Sequence, residues 1–327
     1  MRKNQANAFK QGISQVLVKV RGKADLLKNA TIRKGMSGVT RLVKSYRYEN
    51  DEGQLYLLIN FDRERVEQLI RKAGFPIWDK TRADSLVWMA IQTTDRQSRT
   101  ITTADSHPPL FRQLELRAKT RGIQLVYPLW DLDDVQNLTV YDIWGGFSQQ
   151  IMRASERYGV QSVLSARVYQ GSQDPEQTVG VNGNLSSKEW VADWTLIQNG
   201  KLQAGQVKAD TIVLLGSQLV DVLADQLAEI YAVDLNDLYS STQNVEITIR
   251  NIDTLQAYVD VSNFLQNLSV VNTASLIKQQ GSSATFEVDL LGEYDDLKNA
   301  FELGGKITPV LDQFGQARSD SEFSWGK

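Results

Sequence analysis

The order of strand-like and helix-like segments near the end of the chain constrains its fold more than any other feature. Residues 245–310 read, in order, VEITIRN, IDTLQAYVDVSNFLQNL, SVVNTASLIKQ, SATFEVDLLG, EYDDLKNAFELGG and KITPV. This β-α-β-β-α-β order is the split βαβ arrangement, and it predicts a ferredoxin-like domain over residues 241–327. In the tail that follows, Phe323 and Trp325 alternate, which predicts one further strand at an edge of the sheet.

Strands and helices also alternate in the middle of the chain. The run SLVWMAIQTT at 85–94 is almost continuously apolar, as expected of a central strand, and strands are also predicted at 123–129 and 160–170. Two further segments meet at Asn199–Gly200, a dipeptide typical of a hairpin turn. The pattern predicts a mixed-sheet α/β domain over residues 84–240, with a parallel core and an antiparallel hairpin at one edge.

The first 83 residues predict a small α/β module. Helical spacing of apolar residues over 4–20 is followed by a glycine-bounded stretch, 22–38, which we interpret as mostly loop. Two strands at 39–49 and 54–61 then form a hairpin, and Asp62 caps a helix. The order αββα lacks an opening strand, so its sheet is thin.

The residue types present exclude several kinds of chemistry. The chain of 327 residues has no cysteine and a single histidine, His107, which excludes disulfides, thiolate catalysis and two-histidine metal sites. We expect no cofactor. Since no apolar run reaches the ~18 residues of a bilayer span, we expect no membrane-spanning segment, and the N-terminus as written shows no signal peptide.

The acidic tip of the segment LVYPLWDLDD permits two interpretations. Asp131, Asp133 and Asp134 follow a predicted strand, as in a Mg²⁺-dependent phosphohydrolase in which Asp131 is the nucleophile and Asp133 the general acid. That chemistry also needs a second acidic pair and a lysine, and no later predicted strand ends in such a pair. The alternative, which we favour, is that one of these aspartates caps a short helix.

Charge is segregated along the chain. Residues 1–50 hold twelve Lys or Arg and two acidic residues, a net charge of +10, whereas residues 201–327 hold eight and eighteen, a net charge of −10. This asymmetry predicts an anionic partner for the first region, contact between the two ends, or merely solvated surfaces. The candidate interaction residues are Lys19, Arg21, Lys23, Lys28, Arg33 and Lys34, together with an acidic stripe at helical spacing, Asp221, Asp225 and Glu229.

Several segments together resemble a family of gammaproteobacterial envelope proteins, the domain of unknown function 2066. They are QGISQVLVKVRG, NFDRERVEQLIRKAGFPIW, SLVWMAI, RGIQLVYPLWDLDD, IWGGF and ASERYGVQSVLSARV. The resemblance covers residues 6–235 well and the C-terminal module loosely, and it brings no catalytic residues. It implies a periplasmic or envelope-associated location. In element order the middle module is similar to the N-terminal domain of TolB and to CsgG, and a related arrangement occurs in FlgT.

Three functional hypotheses follow. The first is a non-enzymatic envelope adaptor or assembly factor that binds protein partners through sheet edges and module surfaces, with self-association possible and no nucleic acid bound. The second is the phosphohydrolase centred on Asp131 and Asp133. The third is binding of an anionic polymer or lipid surface by the basic first 50 residues.

Overall fold

The structure, a computed structural model, describes residues 2–51, 54–78, 81–92, 98–171, 189–198, 200–233 and 243–326. Its helices are α1 (Arg2–Arg21), α2 (Ala30–Ser37), α3 (Arg63–Lys72), α4 (Pro108–Arg121), α5 (Leu132–Asn137), α6 (Val140–Gly145), α7 (Ser148–Ser155), α8 (Ile212–Tyr231), α9 (Leu255–Gln266) and α10 (Tyr294–Gly304). Its strands are β1 (Val43–Asp51), β2 (Gln54–Phe61), β3 (Ile77–Trp78), β4 (Asp84–Gln92), β5 (Arg99–Ile101), β6 (Gln124–Val126), β7 (Ser162–Gln170), β8 (Trp190–Gln198), β9 (Lys201–Ala209), β10 (Ala232–Val233), β11 (Gln243–Arg250), β12 (Val271–Gln280), β13 (Ser283–Leu290), β14 (Ile307–Pro309) and β15 (Glu322–Trp325).

The chain divides into two compact units, Met1–Thr81 with Leu227–Lys327, and Arg82–Gln226. The predicted fold class, a combination of α/β and α+β modules, is confirmed by the mixed and antiparallel sheets. The boundaries predicted for three modules, at 1–83, 84–240 and 241–327, stay a prediction.

In the first unit, both ends of the chain contribute to one hydrophobic core. Phe9, Ile13 and Leu17 of α1 are buried in the same cluster as Phe286 of β13 and Phe301 of α10. The start of the chain has the order ααββα, one helix more than the predicted αββα, and β1 and β2 form the predicted antiparallel hairpin. Asp62 caps α3 as predicted, because its side chain accepts a hydrogen bond from the backbone N–H of Arg65.

The loop predicted between Gly22 and Gly38 is wrong. A short 3-10 turn at Asp25–Lys28 is followed by the eight-residue helix α2. The side chain of Asn29 caps this helix by accepting from the backbone N–H groups of Thr31 and Ile32. Leu26 and Ile32 are fully buried, so tertiary packing holds the segment in place.

The C-terminal sheet has the predicted β-α-β-β-α-β element order but an additional strand inside it. The strand order is β12-β13-β11-β15-β14. The prediction that Phe323 and Trp325 lie in an edge strand is therefore wrong: β15 pairs parallel with β11 and antiparallel with β14. β14 and β15 approach as a hairpin, which joins the sheet through β15 and buries Phe323 against Phe301.

The second unit contains the predicted mixed sheet, in which β4 is an interior strand. β4 pairs parallel with β6 and with β7, whereas β8 and β9 form the antiparallel hairpin at one edge. Gly200 of its turn has a φ of 72°, and Asn199 lies outside the described residues. Of the strand predicted at 123–129, only the first part pairs: β6 ends at Val126, and Pro128, which has no N–H, lies beyond it. The chain then turns into the aspartate segment.

Candidate interaction site at the aspartate cluster

Asp131 begins the short helix α5. Its Oδ1 accepts a hydrogen bond from the backbone N–H of Asp134 at 3.2 Å. Asp133 and Asp134 lie in the first turn, where the partial positive charge of a helix N-terminus favours carboxylates. The prediction that one of these aspartates caps a short helix is confirmed. We call Asp131, Asp133 and Asp134 the aspartate cluster.

Asp134 is the buried centre of this cluster, with 1% of its surface exposed. Its Oδ2 accepts from the backbone N–H of Trp130 at 2.8 Å and from the hydroxyl of Tyr158 at 2.6 Å. Its Oδ1 accepts from Nη1 of Arg157 at 3.2 Å. Both carboxylate oxygens thus have donors, which is the condition for burying an ionised group at tolerable cost.

Arg157 offsets part of the negative charge of the cluster. Its Nη1 and Nη2 donate to Oδ1 and Oδ2 of Asp131 at 2.6 Å and 2.8 Å, a bidentate ion pair. These hydrogen bonds lower the pKa of Asp131 to about 2. Hydrogen bonding to Asp131 in turn raises the pKa of Arg157. Asp133 lies 3.9 Å from Nη1 and points mostly into solvent.

Tyr158 and Trp130 fix the turn that precedes α5. The Tyr158 oxygen accepts from the backbone N–H of Leu129 at 2.9 Å. Burial, and next its hydrogen bond to Asp134, raises the pKa of Tyr158 to about 12. Trp130 has a φ of 52°, a left-handed conformation that costs a non-glycine residue ~1–3 kcal/mol. The hydrogen bond to Asp134 and the edge-on contact with the buried Trp88, at 6.4 Å, hold it there.

Three apolar side chains of this segment are exposed between its exposed polar residues. Leu129 and Leu132 are 72% and 70% exposed, and Val135 is about half exposed. Leu132 and Val135, three positions apart on α5, share one helix face. We call Leu129, Leu132 and Val135 the α5 patch. A strained turn fixed by ionic hydrogen bonds therefore presents apolar side chains to solvent.

The geometry of the cluster suits a structural role better than catalysis. The two oxygens of Asp131 and those of Asp134 are engaged by Arg157, Tyr158 and backbone N–H groups. Within the ranges that the structure describes, no group of three His, Cys, Asp or Glu side chains is placed to hold a metal ion. A nucleophilic Asp131 would first have to lose its bidentate partner.

The predicted acidic stripe on α8 is occupied by partners from the same chain. Arg117 donates Nε and Nη2 to the two oxygens of Asp221, each at 2.8 Å. Arg121, which is buried, donates to Asp221 at 2.6 Å and also to Asp225. Glu229 accepts from Lys23. The stripe therefore ties α8 to other segments by ion pairs.

The predicted basic residues differ in their surroundings. Arg21 and Lys23 are largely buried and form ion pairs with Asp25 and Glu229. Lys28, Arg33 and Lys34 are exposed, and among the described residues none of these three has an ion-pair partner. Lys19 lies in the last turn of α1.

Sequence reasoning missed Arg157, Tyr158 and a second polar network on the β7–β9 surface. Asp193 accepts from Arg167 at 2.9 Å, Tyr169 at 3.0 Å and Gln206 at 2.6 Å. Burial alone would raise the pKa of Asp193, but these three hydrogen bonds together lower it. The only sequence signal was that Arg167 and Tyr169, two positions apart on a predicted strand, point to the same face. In the structure, the pairing of β7 with β8 places Arg167 opposite Asp193.

Family models match both ends of the chain. A domain of unknown function, DUF8605, matches residues 1–79, and DUF2066 matches residues 244–321. The DUF2066 match thus lies in the C-terminal module, which the resemblance covered loosely, and not over residues 6–235, which it covered well.

Comparisons with individual proteins add little. No curated protein matches this chain. A solved structure, described as the crystal structure of an uncharacterized protein, is 11% identical over 46% of this chain and 91% of its own, with a TM-score of 0.20.

None of the described helices combines the length and apolar character that a bilayer span requires. The comparisons therefore show that residues 1–79 and 244–321 are similar to two families of unknown function.

Proposed function

We propose that this protein is a non-enzymatic component of the cell envelope, an adaptor or assembly factor that acts through protein–protein contacts. The envelope location rests on the resemblance to a family of envelope proteins and on the DUF2066 match at residues 244–321. The proposed mode of action is supported by the aspartate cluster, whose carboxylates hold the turn before α5 and so the α5 patch in place.

The observation that carries this proposal is the exposed α5 patch on a rigid support. Apolar side chains clustered on a surface favour burial against a partner. Binding costs less free energy when the contact residues are already ordered. The hydrogen bonds donated by the Trp130 N–H to Asp134 and by the Leu129 N–H to the Tyr158 oxygen provide that order before any partner arrives.

The test is cross-linking in cells followed by mass spectrometry, with the full chain and a Leu132→Asp variant. A carboxylate buried without a partner in an apolar interface costs well over ~1.4 kcal/mol, so we expect cross-linked partner to fall at least about tenfold. Leu132 is exposed, so circular dichroism of the variant should match that of the parent chain.

Leu116→Asp is the matched control. Leu116 is 52% exposed on α4 of the same unit and lies outside the α5 patch, so its replacement should leave the cross-linked partner unchanged. Equal losses in the two variants, or no loss in Leu132→Asp, would contradict a docking role for the patch.

The Mg²⁺-dependent phosphohydrolase remains the alternative centred on Asp131 and Asp133. It requires release of Asp131 from Arg157 and the approach of a metal ion to carboxylates that are already hydrogen-bonded. Magnesium-dependent phosphate release by the purified chain, abolished by Asp131→Asn in a folded variant, would establish it against our proposal.

A second candidate function, binding of an anionic polymer or lipid surface, is favoured by one observation. Lys10 and Arg33 line an open groove that also includes Leu27 and Met36. Lys28 and Lys34 are exposed in the segment that contributes Arg33. The salt dependence of anionic vesicle binding tests this function.

A further inference from the structure

The strand β1 has an open edge. Among the strands that the structure describes, β1 pairs with β2 alone, in a two-stranded sheet. Every residue from Lys44 to Asn50 is exposed. A strand edge whose backbone N–H and C=O groups are unpaired is a template for another strand.

We propose that the open edge of β1 pairs antiparallel with the same edge of a second copy of this chain. A two-fold axis would place Tyr48 opposite Tyr48 and generate a four-stranded sheet in the order β2-β1-β1-β2. This surface is separate from the α5 patch, so the inference goes beyond the proposed function and does not depend on it.

The two-fold symmetry limits the possible registers. Along a strand edge, successive residues alternate between those that direct their backbone groups outward and those that direct them inward. Two residues can lie opposite each other only if both direct their backbone groups outward or both direct them inward. When a strand pairs with its own copy, the two-fold axis therefore passes between one residue and the same residue of the other copy. The registers that pair most of β1 (Val43–Asp51) are centred on Tyr46, Arg47 or Tyr48.

Charge selects one of these three registers. A centre at Arg47 places two guanidinium groups opposite each other. A centre at Tyr46 places Arg47 opposite Ser45 and Glu49 opposite Val43, so no opposite-charge pair forms. A centre at Tyr48 places Arg47 of each copy opposite Glu49 of the other, which gives two opposite-charge pairs. Opposite charges directly across an antiparallel pair are stabilising and like charges are destabilising. The sequence of β1 is thus complementary to itself in one register.

The apolar face of the hairpin gives a second reason for association. Tyr46 and Tyr48 are each about half exposed, and their rings contact each other edge-on at 6.4 Å. They lie opposite Ile59 and Leu57 of β2, on the face where Tyr46 also contacts Phe9. In the proposed register, Tyr48 side chains from the two copies are neighbours, and aromatic cross-strand pairs stabilise a sheet.

Charge reversal tests the register in the full chain. Sedimentation should detect a dimer, and Arg47→Glu should raise its dissociation constant at least about tenfold, which corresponds to ~1.4 kcal/mol. Glu49→Arg should do the same, because each single change places like charges opposite each other. The double variant Arg47→Glu, Glu49→Arg should restore the dimer. Both residues are exposed, so the fold should persist.

A cysteine scan gives an independent readout, since the chain contains no cysteine of its own. Tyr48→Cys should form an interchain disulfide under mild oxidation, because directly opposed residues in a sheet lie within disulfide range. Tyr46→Cys should not, because its copy lies four residues away along the strands, at ~13 Å. The proposal is overturned by a chain that stays monomeric up to its solubility limit, by single variants that dimerise like the parent, or by equal cross-linking at the two positions.

Discussion

At the scale of single residues, the buried carboxylate of Asp134 holds the candidate site together. Asp134→Ala would leave the Trp130 N–H and the Tyr158 hydroxyl without an acceptor. Each buried donor left unsatisfied costs ~1–3 kcal/mol, so we expect the free energy of unfolding to fall by about 3 kcal/mol. Denaturant titration of the purified variant measures this loss.

Asp133→Ala provides the control on the neighbouring residue of the same helix turn. Its side chain is 71% exposed and touches the cluster only through the 3.9 Å contact with Arg157. We expect a change within about 0.5 kcal/mol, as for other exposed positions. If Asp133→Ala and Asp134→Ala lose similar stability, the cluster is not organised around Asp134.

Sequence reasoning predicted part of this site, namely that the aspartates begin a short helix. A cap is a local feature, because the residue and the N–H groups that it binds lie within three positions. Arg157 and Tyr158 lie more than twenty residues away from the aspartates, and only the fold of α7 and the turn after it brings them near. No spacing rule predicts that contact.

At the scale of secondary-structure elements, the position of β15 makes a specific prediction. Phe323→Ala should lower the free energy of unfolding by about 3–5 kcal/mol, the usual range for a buried phenylalanine. Phe323 is buried in the C-terminal sheet, and the centre of its ring lies 5.0 Å from that of Phe301. An edge-strand phenylalanine exposed on its outer side would cost much less.

Phe314→Ala serves as the reference for this measurement. Phe314 is exposed in the connection between β14 and β15, nine residues before Phe323. Its replacement should change stability little, whereas comparable losses at both positions would contradict an interior β15. Thermal and denaturant unfolding of the full chain compare the two variants directly.

The elements most easily predicted were those with long periodic patterns. The apolar run of β4, the hairpin of β8 and β9, and the alternation in residues 245–310 all gave the correct element type. Helix α2 was missed because its eight residues include two that favour turns, Gly35 and Ser37, and its apolar positions are few. The interior position of β15 was missed because alternation predicts a strand but not its neighbours.

At the scale of the whole molecule, the basic residues that segregate in the sequence differ in the structure, because some form ion pairs and others are exposed. Arg21 and Lys23 lie in ion pairs with Asp25 and Glu229, so part of the positive charge of the first 50 residues is neutralised within its own unit. The net charge of each region follows from the sequence. Which charged residues form ion pairs depends on the fold, which brings together residues up to 206 positions apart. Lys28, Arg33 and Lys34 are among the exposed basic residues of this region that an external anion would meet.

Two matched variants separate binding from stability. Replacing Lys28, Arg33 and Lys34 together by Gln should reduce binding to anionic phospholipid vesicles at low salt at least tenfold, since each such residue contributes ~1 kcal/mol near the surface. Replacing Arg21 and Lys23 by Gln should leave vesicle binding nearly unchanged. It should instead lower the free energy of unfolding by about 1 kcal/mol, because the acidic partners are more than a third exposed.

The salt dependence of vesicle binding shows whether Lys28, Arg33 and Lys34 act by close contact with the anionic surface. At physiological ionic strength the Debye length is ~8 Å, so attraction to an anionic surface persists only where Lys28, Arg33 and Lys34 reach it closely. Binding of the parent chain should therefore decline steeply as salt rises, and binding of the triple variant should decline less. If the parent chain does not bind anionic vesicles at low salt, or if both variants bind like the parent, these side chains are solvated surface and the anionic-surface function fails.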